Sequence, residues 1–230
     1  MEIDIITLFP DMALAPLSES ILKRAQDRGL INVRAHQLRD WASGRYRKVD
    51  DYPYGGGVGM ILKPEPIFKA IAELRKPHTK VILMTPQGKQ YKQADAKRLS
   101  IDHEHLIFLC GHYEGIDHRV VEQLVDEELS IGDYILTNGA IAAAIVIDSI
   151  ARLIPGALGD DDSVVEESFS NPNLLEAPAY TKPAIYEGFS VPDILLSGHH
   201  AKIDQWRAEQ SILRTSTNRP DLMSPTKRAD

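Results

Sequence analysis

The sequence predicts an α/β fold: a parallel sheet covered by helices on both faces, followed by a second, smaller unit. Three observations carry this. Short, β-rich apolar runs alternate with stretches of helical spacing through the first two thirds of the chain. After Pro155 the composition turns polar, acidic and proline-rich. One clear helical stretch then follows near the C-terminus. With 230 residues, 43% hydrophobic and 26% charged, the chain has the balance of an ordinary globular protein and is long enough for one large domain or a medium and a small one.

Residues 3–8 form the first apolar run. Residues 18–28 place Ile21, Leu22 and Ala25 on one helical face and stop at Gly29, a natural helix terminator. Residues 30–35 read as a strand, and 40–60 as a polar, glycine-rich loop. A helix is expected over 66–74 and a strand over 80–84, the latter stopped by Pro86. A short helix over 93–99, a strand over 105–109 closed by Gly111, and a helix over 116–125 come next. Strand-like pieces lie near Leu129 and over 134–136, and the apolar stretch 140–154 is the strongest helix. Residues 156–183 read as a linker, 199–213 as a helix, and 218–230 as a frayed tail. In parallel sheets ligands sit at the carboxyl ends of strands, so the segments after Met84, Leu109 and Leu129 are the candidate site.

Several function classes drop out early. The start MEIDIITLFP has two acids and no base, unlike a secretory or transit leader. The longest apolar stretch, 140–147, is too short to span a bilayer. One cysteine, Cys110, permits neither an internal disulfide nor a multi-cysteine metal site, which fits a cytoplasmic protein. The net charge of −7 argues against a phosphate-binding partner, but the charges are segregated. Bases crowd residues 22–48, with Trp41, Tyr46, Tyr52 and Tyr54 nearby, whereas acids crowd 160–167. A basic run is most simply a solvated face, yet aromatic rings beside it also suit base stacking.

Three segments could carry chemistry. Tyr54-Gly55-Gly56-Gly57-Val58-Gly59 lets backbone approach a ligand but matches no nucleotide fingerprint. Gly111 to Asp117 offers exposed amides and a carboxylate at a strand end, or merely a tight turn with Asp117 capping a helix. Ser130 to Gly139 is turn-rich and opens the apolar helix, in which Asp148 and Arg152 are one turn apart, either a structural pair or an arginine poised for developing negative charge. The histidines are scattered without a third ligand, so no metal site is expected from them.

These segments, in order, resemble one family. The runs IITLFP, VDDYPYGGGVGM, TPQGK, LCGHYEGIDHR, LSIGDYILTNG, IDSIARLIPGALG, ESF, LLEAPAYTKP and VPDILLSGHHAKIDQWR span nearly the whole chain. They resemble the bacterial tRNA (guanine-N1)-methyltransferases, SPOUT-class enzymes that use S-adenosyl-L-methionine. The resemblance implies a deep trefoil knot in the parallel sheet and a small helical C-terminal domain. The domains implied are residues 1–158 for donor binding, 159–176 as a linker carrying the catalytic base, and 177–230 for gripping tRNA. It implies a cytoplasmic homodimer with an active site shared between subunits, acting on tRNA and not on a membrane. The methylated atom is N1 of the guanine just 3′ of the anticodon, position 37.

By the same resemblance the donor lies against Thr85, Pro86, Gly111, Ile131, Gly132, Asp133, Tyr134, Ile135, Leu136 and Gly139. Glu114 matches a functional carboxylate, and Arg152 the arginine that stabilises the guanine oxygen. Family activity depends on a magnesium ion (Mg2+), to which Glu114 is a candidate contributor. The family base is an aspartate directly before Ser-Phe, and this chain has Glu167 there, one methylene longer. Where the family has Gly-Gly-Glu, this chain has Asn138-Gly139-Ala140, an expected change in a wall of the donor site. A tRNA-binding homologue with weak catalysis, or a relative acting on another base, is the alternative.

Overall fold

A computed structural model gives the structure of the protein and describes residues 1–158 and 167–223. The chain forms two compact units, Met1–Gly159 and Asp160–Asp230. Most of the acidic stretch expected to be a linker lies outside the described residues, as does the end of the tail.

In the first unit, strands and helices numbered in chain order are β1 (Glu2–Thr7), α1 (Pro10–Leu14), α2 (Ser20–Asp27), β2 (Asn32–Gln37), β3 (Asp50–Asp51), β4 (Ile61–Leu62), α3 (Pro64–Leu74), β5 (Lys80–Gln90), α4 (Gln93–Asp102), β6 (His105–Cys110), α5 (His118–Leu124), β7 (Glu127–Ser130) and α6 (Ala140–Ala151). Five strands form one parallel sheet in the order β2-β1-β6-β5-β7. β3 and β4 pair separately and antiparallel.

The sheet is buried on both faces, and the alternation of side chains along each strand assigns them. Ile3, Ile5, Ile82, Met84, Leu106 and Phe108 pack into one cluster with α1, α2, α4 and α6. Ile6, Val81, Leu83, Ile107 and Leu109 face the opposite way into a cluster with α3 and α5. This two-sided burial explains why β6 reads as an unbroken apolar run. α3 begins with Pro64 and Pro66 in its first turn, where a missing N–H costs no helical hydrogen bond. Asp117 caps α5 by accepting from the Arg119 amide at 3.0 Å, as expected of its place.

Two sequence expectations fail here. β5 does not stop at Pro86 but continues to Gln90. Its pairing with β7 shifts register between Met84 and Lys89, so Pro86 sits in a bulge where no ladder N–H is required of it. Residues 134–136 are not strand but loop. Gly132, at φ +152°, breaks the extension, and its amide turns back to Ser130 Oγ at 3.2 Å. That loop then makes a single bridge, Asn138 to His112, across the end of β6.

The second unit contains the hairpin β8 (Ile185–Tyr186) and β9 (Phe189–Ser190), then α7 (Asp193–Leu196), α8 (His200–Asn218) and α9 (Pro220–Met223). Glu187 and Gly188 both have positive φ, the geometry of a two-residue hairpin turn. Thr215, fully buried on α8, accepts from the Leu175 amide at 2.9 Å and donates to the Ser211 carbonyl at 2.7 Å. Segment 168–176 is thereby fastened to α8. Among the described residues no helix is long and apolar enough to cross a membrane.

Candidate active site

A cleft of about 360 Å³ opens in the first unit where β5, β6 and β7 end. Thr85 and Pro86 follow the core part of β5; Gly111 and Glu114 follow β6; Ile131, Gly132, Tyr134, Ile135 and Leu136 follow β7; Gly139 opens α6. All but one of the expected donor positions therefore share one wall or another of this cleft. Asp133 is the exception: it is exposed and outside the lining.

The glycines have identifiable work. A Cβ on Gly139 would stand 3.1 Å from Cys110 Cα and 3.2 Å from Met84 Cβ, so the chain passes β5 and β6 here at close quarters, and a side chain would have to push these neighbours back by a few tenths of an ångström. The Gly139 amide donates to the Gly111 carbonyl at 2.9 Å, locking the crossing. Gly59 leaves the space that the Glu114 side chain occupies; a Cβ there would lie 2.5 Å from Glu114 Cγ. The Glu114 amide also donates to the Met60 carbonyl at 3.1 Å. Two segments singled out separately in the sequence, 54–59 and 111–117, thus form one structure.

Asn138 and Gly139 line the cleft, but Ala140 is buried and does not, which corrects part of the expectation about this wall. Asn138 Oδ1 accepts from the Ala140 amide at 2.8 Å, satisfying one free donor at the start of α6. His112 also lines the cleft and was not foreseen as a site residue. Its ring packs edge-on to Phe9 at 5.1 Å and Tyr113 at 4.3 Å, and its buried Nδ1 has no partner among the described residues. Its place one residue after Gly111 was the available signal. Cys110 lies beneath the cleft, and burial pushes its thiol up, leaving it a packing residue rather than a nucleophile.

The other two expected catalytic residues lie elsewhere. Arg152 is at the C-terminal cap of α6, its amide bonded to the Asp148 carbonyl at 3.2 Å. It stands thirteen residues beyond Gly139, about 20 Å along a helix, and is not in the cleft lining of its own chain. Asp148, one turn earlier, is exposed. Glu167 belongs to the second unit, where it borders a wide cleft of about 1100 Å³ together with Tyr180, His200 and Arg207. The turn it begins is pinned: Phe169 (φ +70°) bonds through its amide to Leu174, Ser168 Oγ accepts from the Glu176 amide at 3.1 Å, and Arg219 lies 5.9 Å from the Phe169 ring. Among the described residues no group of three or more His, Cys, Asp or Glu side chains is placed to hold a metal ion.

Comparison with known proteins now bears on this geometry. The family model described as tRNA (Guanine-1)-methyltransferase TrmD matches residues 1–225. The chain belongs to this family. It is 54% identical to a tRNA (guanine-N(1)-)-methyltransferase of Shouchella clausii, over 97% of this chain and 91% of that one. It is likewise 54% identical to the protein of that name from Carboxydothermus hydrogenoformans, covering 97% and 87%. The same name is carried by a relative from Staphylococcus epidermidis, 53% identical over 97% and 91%. Family membership makes the chain an enzyme, a methyltransferase, and assigns the mixed α/β unit with its five-stranded parallel sheet to this family.

Proposed function

We propose that the protein transfers a methyl group from S-adenosyl-L-methionine to N1 of the guanine at position 37 of tRNA. The observation that carries the donor assignment is the cleft, which gathers every expected donor residue except Asp133. Its volume falls within the range of about 300–1,000 Å³ usual for small-molecule sites. Its walls are the segments that follow the core of β5, β6 and β7, and the buried His112 Nδ1, without a partner among the described residues, belongs to one of the residues lining it. These features suit a bent, polar donor, which when bound supplies an electrophilic methyl group on a sulfonium.

The remaining chemistry falls to the chain's own side chains. Guanine N1 carries a proton and is a poor nucleophile until it leaves. Glu167 takes that proton as general base. Negative charge then develops on O6, where the Arg152 guanidinium stabilises it. Glu114, at the cleft, orients the target base. The base must leave the stack of the anticodon loop to reach the cleft.

The reading includes a knot and a dimer. Support for a deep trefoil knot comes from the tight passage of residues 137–139 against the ends of β5 and β6. Support for a homodimer comes from α6. Ile141, Ile145, Asp148 and Arg152 fall on one helical face, and the two isoleucines are exposed beside exposed Phe9 and Met12 of the α1 region. Two such faces packed antiparallel bring Arg152 of one subunit to the N-terminal end of α6 in the other, where the cleft lies. Residues 1–158 then serve as donor-binding domain, 159–176 as the linker bearing the base, and 177–230 as the helical tRNA-binding domain of a cytoplasmic enzyme.

The test is Glu167→Gln. Methyl transfer to tRNA is expected to fall by at least about a hundredfold, with donor affinity by calorimetry unchanged. Undiminished transfer in this variant rejects Glu167 as the base.

A further inference from the structure

The loop between Trp41 and Met60 carries three tyrosines that the first unit leaves almost wholly in water. Tyr46 is 86% exposed, Tyr52 76% and Tyr54 101%. Exposing three aromatic rings within nine residues forgoes a large burial gain, so the rings are poorly explained as packing. Trp41, which the sequence groups with them, is different. It is half-buried against the α3 side of the core, and its Nε1–H is committed to Glu73 Oε2 at 2.7 Å.

Tyr46 and Tyr54 each have a cation nearby, and Tyr52 directly follows an ion-paired residue. The Arg45 guanidinium lies 6.0 Å from the Tyr46 ring centre. Lys48 reaches Asp51, next to Tyr52, at 3.3 Å. Arg119, on the first turn of α5, is an electrostatic neighbour of Tyr54. Gly55, Gly56 and Gly57 follow with positive φ, and the first two have nothing within 4 Å of where a side chain would be. The far end of the loop is fixed to the cleft. Met60 accepts from the Glu114 amide, Leu62 donates to the Gly115 carbonyl at 3.0 Å, and Leu62 accepts from the Asp117 amide at 3.0 Å. The rings therefore stand on a glycine-rich loop rooted at the rim of the site that takes the target base.

We propose that Tyr46, Tyr52 and Tyr54 form a stacking platform for the unstacked nucleotides that flank the methylated guanine in a single-stranded RNA loop. Removing a base from its stack leaves its neighbours without one face, and aromatic rings replace that face without regard to sequence. Phenol rings beside cations fit this partner better than a second copy of the chain, whose apolar contact surface is the α6 face. The inference rests on the tRNA reading above, and the experiment separates the two.

Tyr46→Ala, Tyr52→Ala and Tyr54→Ala are compared with their Phe counterparts for binding to an anticodon stem–loop RNA hairpin and to a duplex RNA of equal charge, measured by fluorescence anisotropy. Each Ala variant is expected to raise the hairpin Kd by about fivefold or more, with the duplex Kd unchanged, near-full recovery in the Phe variants, and unaltered donor affinity as the control for folding. Unchanged hairpin affinity in all three Ala variants overturns the platform. So does equal loss for hairpin and duplex, which means charge rather than stacking, or a fall in sedimenting mass, which means a contact between copies. Wild-type protein is tested in parallel for methyl transfer to tRNA: no transfer defeats the parent reading, whereas transfer with unchanged Ala variants defeats the platform alone.

Discussion

Asp4 is a carboxylate almost without exposure in the middle of the first strand, and it survives there because three side chains converge on it. Arg34 donates through Nε at 2.9 Å, and His36 and His105 approach through Nε2 at 2.7 and 2.8 Å. Thr79 Oγ1 in turn lies 2.6 Å from His105 Nδ1. The chain Thr-His-Asp has the connectivity of a hydrolytic triad, but Thr79 and His105 precede or begin their strands, at the opposite end of the sheet from the cleft. Burial raises the Asp4 carboxyl, and the hydrogen bonds from Arg34, His36 and His105 outweigh it, leaving the group below the usual carboxylate range. A depressed folded-state value means that the stabilisation is complete above the unfolded value of about 3.9 and is lost as pH falls through the lower folded value. Asp4→Ala is expected to cost about 3 kcal/mol in urea denaturation at neutral pH, the low end for a broken buried pair because Arg34 remains half in water. The difference from wild type should shrink below about pH 4. None of these partners was legible in the sequence, where Asp4 merely interrupts an apolar run and its three neighbours lie at positions 34, 36 and 105.

At the scale of elements, the alternation of strands and helices was legible because the central strands β1 and β6 bury both faces and read as apolar runs between segments of helical spacing. α6 announced itself as the longest apolar segment. What misled was local chemistry read without its tertiary partner. Pro86 ends an isolated strand, yet in β5 it falls in a bulge. Residues 134–136 have β-forming side chains, yet Gly132 turns them off the sheet edge to cross over the cleft. The bulge has its own requirement at Gly88, where a Cβ would lie 2.5 Å from the Glu128 carbonyl carbon and 2.5 Å from the Leu129 nitrogen. Both are backbone atoms and cannot give way cheaply. Gly88→Ala is expected to destabilise the β5–β7 pairing by about 2 kcal/mol, read as a lower melting temperature. Donor affinity should fall with it, because walls at 85–86 and 131–136 hang from that pairing.

At the scale of the whole molecule, the one-turn spacing of Asp148 and Arg152 left a structural pair and a catalytic arginine both open, and only the resemblance chose between them. Arg152 lies ten residues, about 15 Å along the helix, beyond Ala142 at the cleft wall and does not itself line the cleft of its own chain. If the site is shared as proposed, Ile145→Asp on the exposed α6 face should yield monomers in sedimentation and abolish transfer. Two inactive variants should also complement each other: Glu114→Gln, defective in the cleft, and Glu167→Gln, defective in the base, are expected to regain about a quarter of wild-type activity when refolded together, since half the dimers are mixed and each then has one intact site of two. Recovery at the level of neither parent alone is the mark of a site built from both chains; no recovery places base and cleft in the same subunit. The net charge of −7, which at first argues against a nucleic-acid partner, is reconciled by segregation, with acids concentrated at 160–167 and bases at 22–48.

The most direct measurement is mass spectrometry of nucleosides from unmodified tRNA incubated with the protein and S-adenosyl-L-methionine. The expected result is one added methyl group per molecule, recovered as 1-methylguanosine and mapped to position 37 in tRNAs with guanine there. An unmethylated product, or a methyl group on another atom or another nucleotide, contradicts the account.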